Sequence, residues 1–249
     1  MGDILLEVCV DDAAGLYAAI KGGADRIELC SALTVGGLTP SAGLMSLAAR
    51  YVVPCYAMIR PRPGDFIYST EELAVMEDDI RFAASCGLAG VVFGANHSDG
   101  RLDRDILMTL SEVSGAMPRT LHRAFDLVPD MAEAIELAID CGFERVLTSG
   151  RAISAVEGLA DLKAAIGIAS GRISIMPGAG VNLETIDILL AELNVTEVHS
   201  SCSSNVEVNN SNVVTFGFAA PRIKKTDIDI VRLLKRRLDG YAIAPGNAQ

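Results

Sequence analysis

The chain has 249 residues, half of them hydrophobic, and sets 21 basic against 32 acidic side chains for a net charge of −11. That balance excludes a broad nucleic-acid surface, which needs a basic footprint, and no apolar run approaches the roughly 18 residues of a membrane span. The length suits one large α/β domain or two small ones. The N-terminus, MGDILLEVCV, lacks a basic region and a small-residue cleavage site, as expected of a cytoplasmic protein. Six cysteines are scattered without the close pairs of a zinc site, so free thiols are expected.

The first predicted strand, Ile4–Val10, carries Glu7 and Cys9; a helical run leads to the second, Arg26–Cys30, which carries Glu28 and Cys30. Gly23 separates helix from strand there, and Gly87, Gly142 and Asn194 repeat the same punctuation. A helix C-terminus favours the left-handed conformation that Gly, and less easily Asn, adopts cheaply. Further strands are predicted over Val53–Arg60, Val91–Ala95, Arg119–Ala124, Val146–Ser149, Ile173–Met176 and Glu197–Ser201. Helical patterns cover Ser69–Cys86, Asp130–Cys141, Ser154–Ser170 and Leu183–Leu193, and a last helix spans 226–239. Eightfold strand–helix alternation predicts an α/β fold, a single-domain (β/α)8 TIM-type barrel over residues 1–249. A doubly wound sheet fits less well, because VDDAAG stands where a glycine-rich nucleotide loop would follow the first strand. Residues 205–221 read as a long polar loop.

In such a barrel the functional groups occupy the C-terminal strand ends. An unpaired carboxylate against the helix layer is heavily penalised, so Glu7 and Glu28 point inward and strand alternation takes Cys9 and Cys30 with them. The acids are then expected one layer below the thiols. Two readings of those thiols stand open: a soft site for Cu(I), or small apolar core residues. Arg60 and Arg62 flank Pro61 on a stiff turn and suit a bidentate grip on a carboxylate or phosphate; internal ion pairs are the other reading. His122, in TLHRAFD, is the general acid–base candidate, and His199 is in phase to face inward. Each also reads as a hydrogen-bonded core histidine. Gly178 and Gly180, in MPGAGV, either offer backbone N–H groups to a phosphate or simply make a tight turn.

The segments EVC, GGADRIELC, GGLTPS, IRPRPGDFIYS, HRAFD, RVLTSG, MPGAGV and EVHSS run in this order from Leu5 to Ser201, and together they resemble the CutC family of copper homeostasis proteins. The resemblance implies a cytoplasmic, homo-oligomeric TIM-type barrel that binds Cu(I), with Cys9 and Cys30 as its metal ligands. Pro63 stands where the family has its usual second glycine. Copper handling through Cys9 and Cys30, with the copper ion as partner, is therefore the first expected function. The alternative is an enzyme acting on a small anionic or phosphorylated metabolite. In it Arg60, Arg62, Gly178 and Gly180 hold the anion, and Glu28 or His122 moves a proton. Neither expectation involves nucleic acid or membrane.

Overall fold

Leu6, Val8 and Val10 alternate with Glu7 and Cys9 along the first strand, and this alternation decides which face meets the helices. The computed structural model describes residues 4–241. Its strands β1 (Leu5–Val10), β2 (Arg26–Leu29), β3 (Cys55–Met58), β4 (Gly90–Phe93), β5 (Arg119–Leu121), β6 (Arg145–Thr148), β7 (Ser174–Pro177) and β8 (Glu197–Ser200) are all parallel. They adjoin in the order β7-β6-β5-β4-β3-β2-β1-β8, and β7 and β8 lie side by side to complete a nearly closed TIM-type (β/α)8 barrel.

Around it run α1 (Ala13–Gly22), α2 (Ala42–Ala48), α3 (Thr70–Ser85), α4 (Arg104–Ser114), α5 (Met131–Asp140), α6 (Leu159–Ala169) and α7 (Ile186–Glu192). Side chains cap the helix starts: Asp12 accepts from Gly15 N–H, Asp103 from Ile106 N–H, and Ser69 forms a reciprocal capping box with Glu72. The main apolar core lies between strands and helices, where Leu6, Val8, Ile27, Leu29, Val91 and Phe93 are fully buried. Gly23, Gly87 and Gly142 take the left-handed conformation expected of them. Asn194 does not; α7 ends at Leu193 in extended backbone.

Inward residues stack in layers, because ladder partners climb the barrel as its strands tilt. Glu7 pairs with Arg26 and Cys9 with Glu28, so the neighbouring strands are offset. The expected single layer of acids beneath a single layer of thiols does not form. Glu7 lies deepest, Glu28 and His199 come next, Cys9 and His122 line the mouth, and Cys30 is uppermost.

Residues 205–221 are not simply a loop. β9 (Ser203–Glu207) pairs antiparallel with β10 (Arg222–Thr226), and a one-turn helix α8 (Ser211–Thr215) lies between them. Most of this ribbon is solvated on both faces, so it lacks the hydrophobic alternation that marks a strand. The final helix α9 (Ile228–Asp239) packs against α1, near its predicted bounds. Helix α6 starts later than the expected Ser154, since residues 151–157 form turns at the barrel top.

Candidate metal centre

Two carboxylates and two guanidinium groups share the bottom of the barrel. Arg26 Nε donates to Glu7 Oε2, and its Nη2 lies 2.6 Å from Glu197 Oε2. Arg145 Nε reaches the same Glu197 carboxylate at 3.2 Å, and its Nη1 reaches Thr120 Oγ1 at 3.1 Å. Both guanidiniums lie about the Tyr56 ring, 5.3 and 5.1 Å from its centroid. Every one of these charges has a partner, the condition for carrying them inside a protein. Arg26, Arg145 and Glu197 are residues that reading the sequence missed. They were findable, being in phase with Glu28, Leu147 and His199 on their strands.

This network holds up the next layer. His199 Nδ1 lies 2.7 Å from Glu7 Oε1, which leaves Nε2 turned towards Glu28 Oε2 at 3.8 Å. One donor atom each from Cys9, Glu28 and His199 lies within 4.8 Å of the other two, and all three residues are buried. Burial raises the Glu7 carboxyl, but the Arg26 charge and the His199 ring outweigh it and hold the group down at about 2. For His199, burial disfavours the charged ring, yet negative charge on Cys9 and Glu28 and the hydrogen bonds of Cys9 and Glu7 raise it well above the ordinary imidazole value. Burial pushes Glu28 up, with His199 opposing and the Glu7 charge assisting.

Cys30 sits directly above. Its thiol donates to Glu28 Oε2 at 3.5 Å and is wholly buried, because the turn at Gly37 passes over the sulfur. Burial, then the Glu28 charge, raise that thiol well above its ordinary range. Cys9 instead faces a cavity of about 820 Å³ at the barrel mouth, which Glu28, His122 and His199 also line.

The two arginines separate: Arg60 lines the cavity and Arg62 does not. Arg60 is buried, and its guanidinium donates to the carbonyls of Val35, Gly37 and Gly64 at 2.8 to 3.0 Å. It is the internal tie of the loops that cover Cys30. Arg62 turns outward to Glu72, Asp65 and the Ile67 carbonyl, away from the cavity. The glycines also separate. Gly178 N–H is taken by the Thr148 carbonyl at 2.9 Å, so it cannot serve an anion, whereas Gly180 lines the cavity. Arginines with carbonyls and acids in reach satisfy those first, and sequence spacing does not reveal such competition.

His122 lies on the wall opposite Glu28, its ring 4.7 Å from that of Phe66. Ala124 N–H donates to Nδ1 at 3.2 Å. Burial first, and the Arg60 charge second, lower its pKa to about 3, so the ring is neutral and carries its proton on Nε2. Asp126 of the same motif is a strut, accepting from Thr148 Oγ1, the Ser149 and Arg151 amides and Arg123.

Residues 4–204 match the model of the CutC family. A family protein CutC of Rhizobium meliloti is 57% identical over 242 residues, spanning 97% of this chain and 99% of its own. The copper homeostasis protein cutC homolog of Homo sapiens is 44% identical, over 92% of this chain and 87% of its own. The solved structure of CutC from Streptococcus agalactiae superposes with a TM-score of 0.76 at 33% identity, covering 80% of this chain and 98% of its own.

Proposed function

The chain belongs to the CutC family, which includes a human copper homeostasis protein, and from that premise we propose that it binds Cu(I) at the barrel mouth through Cys9 and His199, with Cys30 as a second thiol. The observation that carries this reading is the convergence of Cys9 and His199 donor atoms on one buried point. Thiolate sulfur and imidazole nitrogen suit a soft ion that accepts low coordination, whereas the hard Glu28 oxygens do not. Glu7 supports His199 from behind, as an outer carboxylate supports a metal-binding histidine. Cys30 is near but covered, so it joins only when the Gly37 turn lifts. Six free thiols support a reducing, cytoplasmic setting. Self-association, which the family resemblance implies, is supported by Phe216 and Phe218, 70% and 80% exposed on the ribbon beyond β8.

Competition with a chromogenic Cu(I) chelator under anaerobic reducing conditions tests the site. Cys9→Ala and His199→Gln should each lose at least roughly tenfold in affinity, and Glu28→Gln much less. Undiminished binding by Cys9→Ala would remove the assignment.

One observation favours a second reading, an enzyme acting on a small molecule. The cavity of about 820 Å³ is far larger than an ion needs, and three buried atoms of residues on its walls, Glu28 Oε1, Arg60 Nε and His122 Nε2, have no partner. Screening a metabolite library by thermal shift tests that reading. A library without a single stabilising compound would count against it.

A further inference from the structure

Beside Arg60 Nε, two unpartnered buried polar atoms belong to residues that line the cavity: Glu28 Oε1 on β2 and His122 Nε2 just after β5. Both residues are only 3% exposed. A buried polar atom without a partner costs about 1–3 kcal/mol, so two such atoms facing one cavity mark a place where a ligand completes the hydrogen bonding.

Their chemistry differs in kind. Ala124 N–H occupies His122 Nδ1, so Nε2 can only donate, and Phe66 against the ring fixes its direction. Glu28 Oε2 is engaged by the Cys30 thiol and faces His199, which leaves Oε1 as a free acceptor. A ligand that bridges them must accept at one end and offer a proton at the other. Leu33, Met58, Phe66 and Leu147 line the space around them, which suits a short carbon skeleton. Arg60 lines the cavity but spends its terminal nitrogens on loop carbonyls, and Arg62 turns away to Glu72, so the two do not grip a phosphate together.

We propose that this cavity takes a small hydroxycarbonyl compound, an aldehyde or ketone with a hydroxyl on the adjacent carbon, and that Glu28 and His122 move a proton between the two carbons. The inference rests on the enzyme reading above and names its substrate class. His122 Nε2–H hydrogen-bonds the carbonyl oxygen. Glu28 Oε1 removes the C–H proton beside the carbonyl; that bonding pair becomes the C=C of an enediol while the carbonyl π pair moves to oxygen. Glu28 then returns its proton to the former carbonyl carbon, and the hydroxyl proton crosses to the first oxygen by way of His122. The sum is an isomerisation, with nothing oxidised and no co-reactant consumed. A carboxylate base with a neutral imidazole is a pairing suited to enolisation, because the ring's Nε2–H bonds the developing enediolate oxygen and can pass a proton between the two oxygens.

The test is proton exchange. Dihydroxyacetone, D-glyceraldehyde and D-xylulose are incubated with the full chain in D2O and followed by proton NMR. Deuterium should enter beside the carbonyl of at least one probe well above the protein-free rate. Glu28→Gln and His122→Gln should each cut that excess by roughly a hundredfold. Cu(I) uptake by His122→Gln, which leaves Cys9 and His199 in place, reports that the variant is folded. No exchange with any probe overturns the proposal, as does exchange that survives both substitutions. If another class of compound stabilises the protein while these probes neither bind nor exchange, the enzyme reading stands and the substrate class is wrong. If no compound of any class binds, both fall.

Discussion

His199 Nδ1 and Glu7 Oε1 lie 2.7 Å apart at the bottom of the mouth, joining the ion-pair network below to the candidate metal centre above. Glu7 is fully buried and its other oxygen accepts from Arg26. Removing one member of a buried pair strands the rest, so Glu7→Ala should lower unfolding stability by about 3–5 kcal/mol. Glu7→Gln preserves the shape and removes the charge; it should weaken Cu(I) binding by roughly 10- to 100-fold, the usual effect of losing an outer-shell partner. Urea denaturation and chelator competition measure the two effects. A Glu7→Gln variant with unchanged Cu(I) affinity would detach Glu7 from the site.

Stability should depend on pH through three of these groups, with opposite signs. Glu7 moves from 4.5 unfolded to about 2 folded, so its contribution is complete above 4.5 and is lost as the pH falls towards 2. His122 moves from 6.5 to about 3; the unfolded chain binds that proton first, so stability falls as the pH drops from 6.5 towards 3. His199 is raised above 6.5, so its contribution is complete below 6.5 and is lost as the pH rises through the folded value. Urea midpoints across pH should therefore show a flatter acid limb in His122→Gln and a flatter alkaline limb in His199→Gln. Identical profiles in wild type and both variants would contradict these directions.

Arg60 ties three loop carbonyls and shields Cys30, so its loss should be felt at the thiol. Arg60→Ala should speed the reaction of Cys30 with a thiol reagent and cost about 1–3 kcal/mol for each carbonyl left buried and unsatisfied. Arg62→Ala, which removes exposed ion pairs, should change stability by no more than about 1 kcal/mol and leave Cu(I) binding as it was. Mass-spectrometric labelling of Cys30 in both variants decides the matter. Equal labelling would mean that Arg60 does not hold the cover in place.

Gly94 offers a probe of His122 that removes no functional group. A Cβ there would stand 2.7 Å from Nδ1 and 2.8 Å from Cε1 of the ring. Gly94→Ala should displace the imidazole, destabilise the barrel by about 1–3 kcal/mol and shift the His122 NMR resonances. Unmoved resonances would show that the ring tolerates the methyl group.

The barrel itself was legible because its evidence is local. Alternation along β1 and β2 placed Glu7, Cys9, Glu28 and Cys30 inside, and glycines at helix ends marked the punctuation. The ribbon of β9 and β10 was not legible, since with most residues solvated on both faces it has no buried face to write a pattern.

Residue phase alone thus determined that acids, thiols and histidines would crowd one barrel mouth. It could not say which of them touch. That depends on the stagger between strands, a non-local quantity set when the barrel closes, which puts Cys9 beside Glu28 and brings His199 against Glu7 from the far end of the chain. It depends equally on competition for partners, which drew Arg60 into carbonyls and Arg62 out to Glu72. The inventory of the site was written in the sequence, and its contacts were decided by the closed barrel.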